Sequence, residues 1–300
     1  MDNKAFYKTL DKLKPQTEDL FKRYCGLTPE KAIPHITAIV RLHEISISLN
    51  LRPPVNNPCL TNNTPPQRDK LWQTSPFPCV GSFKFVELAL SSHPQYAALL
   101  VAIKAGAYTL DIGCCVGQDL RRFVADGADS ANLAGTDLQA DFLDLGYELF
   151  MDRDSWKGTM VAADLFDEED GKLRVFEGKC DVVLAQSVFH LFRQDRQKVL
   201  ARRVLDFLKV RKGTMIMGRQ GSFVTAREFS LGDQRLFWHD DASWKQLWDE
   251  TGKEVRDEEG KEIRFDVQTW MVKDESWFWE GCKVPDWEEG RVMYFTVKRI

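Results

Sequence analysis

A chain of 300 residues, 43% apolar and 29% charged, can bury a full core, so it reads as one large globular domain with an N-terminal addition. Its net charge of −4 comes without a basic stripe to track a phosphate backbone, which argues against nucleic acid as a partner. Apolar runs fall short of the roughly 18 residues that span a bilayer, Met1 to Lys4 lacks a signal peptide's apolar core, and the seven cysteines show neither disulfide-framework nor zinc-ligand spacing, so the expected location is cytoplasmic and no metal is expected.

Leu10, Leu13, Leu20, Phe21 and Tyr24 recur at helical intervals before Gly26. Thr28 then caps a second helix with Pro29 in its first turn, and Ile33, Ile36, Ile39, Val40, Leu42 and Ile47 form its apolar face. His35 and His43 fit there as partly buried helix residues. Residues 51–80 are rich in proline and asparagine, with Trp72 and Phe77 followed by Phe83 and Phe85. Aromatics favour docking over disorder, so Ser75 to Gly81 is expected to lie over a ligand pocket; the alternative is a plain tie between cap and sheet. The expected division is a helical cap and proline-rich lid over 1–80 and a ligand-binding sheet domain over 81–300. A helix over roughly 84–104, broken near His93 and Pro94, leads into the first strand.

That strand, Tyr108 to Ile112, is short, apolar and β-branched, as a strand covered on both faces should be, and it carries Asp111 near its end. Gly113 and Gly117 allow a tight turn, and the helix starting near Gln118 points its amide-rich end back at the turn. The spacing Asp-x-Gly-x-x-x-Gly is neither a phosphate loop nor a dinucleotide fingerprint, but it suits a nucleotide-like ligand. Cys114 and Cys115 read as small apolar filler. The second strand, Leu133 to Leu138, ends in Asp137, placed to accept ribose hydroxyls. The third, Gly158 to Ala163, ends in Asp164 and Leu165, with Asp164 placed to accept an adenine amine. The fourth, from Cys180, delivers Gln186, Ser187 and His190 to the same edge. After an amphipathic helix over Asp195 to Lys209 comes a fifth strand, Gly213 to Gly218, which Arg219 and Gln220 leave. Six of the tryptophans after residue 240 and Trp238 gather around a helix near 241–252 and strands near 262–272 and 291–299, the last antiparallel; they suit an apolar pocket or packing beneath the sheet.

Taken together, Ser75 to Gly81, Leu110 to Asp119, Asp144 to Phe150, Asp164 to Phe166, His190 to Phe192 and Gly218 to Gly221 make the chain resemble class I S-adenosyl-L-methionine (SAM) methyltransferases. More narrowly it resembles fungal secondary-metabolite enzymes that esterify carboxylates in meroterpenoid pathways. The resemblance implies a Rossmann-like α/β fold: a seven-stranded, mostly parallel sheet with an antiparallel last strand, plus the N-terminal helical cap. It assigns the methionine part of SAM to Asp111, Gly113 and Gln118, with Cys114 and Gly117 in the same turn. Ribose falls to Asp137, the adenine surroundings to Leu138, Asp164 and Leu165, and Gln186 completes the cofactor wall. Cys115 stands where the common motif has its middle glycine. His190 and Arg219 are the catalytic candidates: with a carboxylate acceptor they orient the anion, and with a phenol His190 takes the proton. The implied partner is a small apolar acid, and a homodimer is left open. Two other readings stay open: SAM kept unconsumed by a cyclase, isomerase or pseudoenzyme, and a non-catalytic binding module.

Overall fold

The computed structural model describes residues 10–41, 83–231, 234–256, 259–274 and 287–300. Seven strands form one sheet: β1 (Thr109–Ile112), β2 (Leu133–Asp137), β3 (Thr159–Ala162), β4 (Val182–Gln186), β5 (Met215–Phe223), β8 (Phe265–Val272) and β9 (Gly290–Arg299). Their order is β3-β2-β1-β4-β5-β9-β8, and β9 alone opposes its neighbours, as the sequence leads one to expect. Strands β6 (Arg227–Leu231) and β7 (Gln234–Trp238) make a separate hairpin.

Alternation along each strand sorts the core onto two faces. Leu110, Ile112, Val183, Ala185 and Ile216 pack on one face with Phe207 of α6 (Gln194–Phe207) and with Trp244 and Trp248 of α7 (Asp241–Glu254). Val182, Leu184 and Met217 pack on the other with Leu99 and Ile103 of α3 (Tyr96–Lys104) and with Leu120 and Phe123 of α4 (Gln118–Ala125). β1 is buried along its whole length because both faces are covered: Leu110 and Ile112 supply apolar side chains to one face, and Thr109 and Asp111 are buried polar residues on the other. Trp244 and Trp248 are fully buried, so these two serve packing beneath the sheet.

The described part of the cap packs on this domain directly. Leu20 and Phe21 of α1 (Pro15–Cys25) and Ala32 and Ile36 of α2 (Pro29–Arg41) join Phe85, Val86 and Val116, and Phe142, Leu149 and Phe150 of α5 (Ala140–Phe150), in one cluster. A buried ion pair underlies it: Arg121 Nε and Nη2 donate to the two Asp152 oxygens at 2.9 and 3.1 Å, and Nη1 donates to the Val116 carbonyl at 3.2 Å. Tyr24 donates its hydroxyl to Asp152 Oδ2 at 2.7 Å, so one carboxylate ties the cap to the glycine turn.

Three elements differ from the sequence expectation. β5 runs on to Phe223 because β9 pairs with it as far as Gly290, so Arg219 and Gln220 lie within a strand. The helix before β1 is reduced to short turns at Lys84–Val86 and Leu90–Ser92, with α3 starting only after Pro94. The hairpin is additional; its Phe229, Leu236 and Trp238 pack on Phe223. The expected lid Ser75 to Gly81, Trp72, Phe77, the boundary at 80–81, Leu42, His43, Ile47, Trp277 and Trp279 lie outside the described residues.

Candidate functional site

The carboxyl ends of β1, β2, β4 and β5 meet around the turn 113–117. Gly113 and Gly117 both hold left-handed backbone, φ 63° and 67°. A Cβ at Gly113 would come within 2.8 Å of Val188, and one at Gly117 would clash with the Arg121 guanidinium, so only glycine keeps this turn tight against its neighbours. Cys115 is left-handed as well, at φ 51°. It adopts the conformation of the glycine it replaces, at a cost of about 1 kcal/mol, and its N–H donates to Asp137 Oδ2 at 2.8 Å. Cys114 turns away: its Sγ abuts Gly135, and its N–H donates to the Thr136 carbonyl at 3.0 Å.

Three carboxyl groups converge on this turn. Asp111 is 2% exposed, and its Oδ1 has no hydrogen-bond partner among the described residues. Burial pushes its carboxyl well above the usual range, and the nearby charges of Asp119 and Asp137 push the same way. Asp119, in the first turn of α4, accepts the Leu90 N–H at 3.3 Å on Oδ1. Burial pushes it up to about 6, while the Arg219 charge pulls it back. Asp137 is also raised by burial, against the N–H bonds it accepts from Gln139 and Cys115. Buried acids held together at this cost, with Gln118 Oε1 also lacking a partner among the described residues, make a cradle for a ligand that is cationic and rich in donors. The ammonium, ribose hydroxyls and sulfonium of SAM fit that donor and charge pattern.

Asp164 and Leu138 stand at the rim. Asp164 is exposed and accepts the Phe166 N–H at 2.9 Å, Leu138 is 61% exposed, and Leu165 packs against the core. Gln186, at the end of β4, has both side-chain amide atoms buried without a partner among the described residues.

The other half of the cleft is built by β4 and β5. Gln186 pairs with Arg219 in register, and Ser187, left-handed at φ 61°, donates its N–H to the Arg219 carbonyl at 2.8 Å. That bend carries His190 beside β5. Its Nδ1 accepts the Gly221 N–H at 3.3 Å, its ring meets Trp238 edge-on at 5.7 Å, and Trp238 Nε1 donates to its carbonyl at 3.1 Å. Because Nδ1 accepts, the neutral ring carries its proton on Nε2. Burial pushes the imidazole down to about 3, and the Arg219 charge adds to the effect.

Asp111, Gly113, Cys114, Gly117, Gln118, Asp137, Gln186, His190 and Arg219 thus meet at one sheet edge, with Leu138, Asp164 and Leu165 around its rim. Asp119 was not singled out from the sequence. Its signal was there, an acid in the first turn of the helix after the second glycine, but a first-turn acid is ordinary dipole complementarity and marks no ligand by itself.

Residues 110–206 match a family described as a methyltransferase domain. The O-methyltransferase phiE of a fungus (strain ATCC 74256) is 45% identical over 186 residues, covering 60% of this chain and 61% of that protein. Methyltransferase trt5 of Aspergillus terreus is 36% identical over 215 residues, 69% of this chain and 74% of the relative. The Asnovolin E/Chermesin D methyltransferase nvfJ of Aspergillus novofumigatus is 36% identical over 186 residues, 60% of this chain and 66% of that one. The match spans about three fifths of phiE's length and about three quarters of trt5's. With its sheet order, its glycine turn ringed by acids and these relatives, the chain belongs to the class I SAM-dependent methyltransferases, in the group that holds these fungal enzymes.

Proposed function

We propose that the protein is an O-methyltransferase that esterifies the carboxylate of an apolar, terpenoid-bearing acid of the meroterpenoid type. SAM, when bound, supplies an electrophilic methyl on a sulfonium. Asp111, Gly113, Gly117 and Gln118 would hold its amino-acid part, with Cys114 shaping the turn from behind, Asp137 its ribose, and Leu138, Asp164 and Leu165 its base, with Gln186 closing the wall.

The observation that carries the acceptor class is the state of His190. A carboxylate of pKa about 4 is ionised near neutrality and needs no base, whereas a phenol near 10 must lose a proton. An imidazole pushed down to about 3, with Nδ1 already accepting the Gly221 N–H, is a weak base and a ready donor. Beside it stands the Arg219 guanidinium, a cationic fork of donors that matches a carboxylate. That pair suits holding an anion in line for attack, and holding it there is most of what this displacement requires. The name of phiE as an O-methyltransferase supports oxygen as the target, and the name of nvfJ supports a small-molecule acceptor.

Incubation with methyl-labelled SAM and separate panels of apolar terpenoid acids and phenols tests this. The expected result is label in alkali-labile methyl esters of acids. Label confined to phenol ethers, or never leaving SAM, would overturn it.

A further inference from the structure

The hairpin β6–β7 stands outside the main sheet, yet it is fastened to the short turn Phe189–Leu191 that carries His190. Phe237 donates its N–H to the Phe192 carbonyl at 3.1 Å. Gln197, fully buried in α6, donates its amide to both the Phe192 and the Phe237 carbonyls, at 2.9 and 2.7 Å. One side chain thus bridges the exit of the His190 turn and β7. Trp238 closes β7 beside that bridge and is buried.

The Trp238 indole is held by the hairpin core and by β5. Phe223 lies 5.0 Å from it, ring to ring, and Phe229 meets it edge-on at 5.1 Å. It lies so close to the Gly221 backbone that a Cβ there would fall 2.7 Å from Cζ2. Toward His190 it makes two contacts: Nε1 donates to the His190 carbonyl at 3.1 Å, and the two rings meet at 85°. Gly221 in turn donates its N–H to His190 Nδ1 at 3.3 Å. A bond of that length is weak, so the imidazole's orientation depends on the indole beside it. Glycine at 221 and tryptophan at 238 therefore fit each other. A side chain at 221 would lift the indole, and a smaller residue at 238 would leave the imidazole room to turn.

We propose that Trp238, seated on Gly221, is a positioning residue that holds the His190 imidazole in one orientation and one tautomer for the acceptor. This rests on the place given to His190 in the reaction above, and the measurements read ring and reaction separately. The full chain is labelled with ¹⁵N in its five histidines, and the His190 signals are identified by their loss in His190→Gln. Among the described residues, Arg219 of β5 is the charged group that acts on this ring. Wild type shows one neutral ring with its proton on Nε2 that does not titrate between about pH 5 and 8. In Trp238→Leu the two nitrogen signals move toward averaged tautomer values and the ring titrates inside that window. With an apolar terpenoid acid, kcat falls about tenfold while KM for SAM stays within about twofold. Gly221→Ala alters no polar group but displaces the indole, and it produces the same changes. The double variant is no worse than either single one, because both act through one contact. Leu236→Ala thins the hairpin core while keeping Trp238 and Gly221, so it lowers Tm and leaves the His190 signals and kcat within about twofold of wild type. Unmoved His190 signals in Trp238→Leu and Gly221→Ala, or the same shifts in Leu236→Ala, would overturn the proposal. If the signals move as described yet no acid is methylated, the positioning stands and the proposed reaction falls. If acids are methylated while the signals stay in place, only the positioning falls.

Discussion

Asp119 shows how the site acts on the stability of the whole chain. Its carboxyl titrates near 3.8 when unfolded and is pushed up to about 6 in the fold, so the folded state holds the proton more tightly. The stability it contributes is fully present below pH 3.8 and is lost as pH rises through about 6. Asp119→Asn keeps an acceptor for the Leu90 N–H but has no charge to bury. The unliganded variant should therefore gain on wild type as pH rises from 4 to 6, by on the order of 2 kcal/mol, read as a widening gap in Tm. A gap that stays flat across that range would contradict it. For His190, held neutral with its proton on Nε2, the kcat/KM profile should show no inflection between about pH 5 and 8. His190→Gln, which keeps an N–H donor, should lower kcat/KM about tenfold without altering the profile's shape. A rising limb near 6.5 that disappears in the variant would instead mark His190 as a base.

At the level of elements, the glycine turn carries the cofactor side of the account. Cys115 already holds φ 51° without a glycine's freedom, so Cys115→Gly should leave S-adenosylhomocysteine affinity within about threefold and shift stability by no more than about 1 kcal/mol. The turn was legible in the sequence because its signals are local: an acid closing a buried apolar run, then glycines where the chain must reverse. The same holds for β2 and β3, whose acids close their strands. What was not legible depends on distant partners. β5 runs past Gly218 only because β9, some seventy residues later, pairs with it, and that extension fixes where Arg219 stands. The Arg121 and Asp152 pair spans a helix and a loop, and neither residue is unusual where it stands. Breaking it should be costly, since the survivor is a buried unpaired charge: Asp152→Ala should lose about 3–5 kcal/mol in urea unfolding. A loss under about 1 kcal/mol would show that the pair is not the clamp between cap and turn that its geometry implies.

Across the whole molecule, the sheet divides the work between its two halves. The acids and glycines that follow or close β1, β2 and β3 suit a cationic nucleoside, while Gln186 at the end of β4, His190 in the turn after it and Arg219 within β5 suit an anion. The cap is tied to the first half through Tyr24 and Asp152, and its Lys14 pairs with Glu87, which also holds Lys84. Among the described residues no helix is long and apolar enough to cross a membrane. The central claim is that this second half receives a carboxylate, and the most direct measurement offers the choice within one molecule. The acceptor is an apolar prenylated benzoic acid carrying both a carboxyl and a phenol, incubated with methyl-labelled SAM, and its product is then treated with alkali. The account predicts a single labelled product whose methyl is released as methanol, because it sits on the carboxylate. Label that survives alkali as a phenol ether would contradict it.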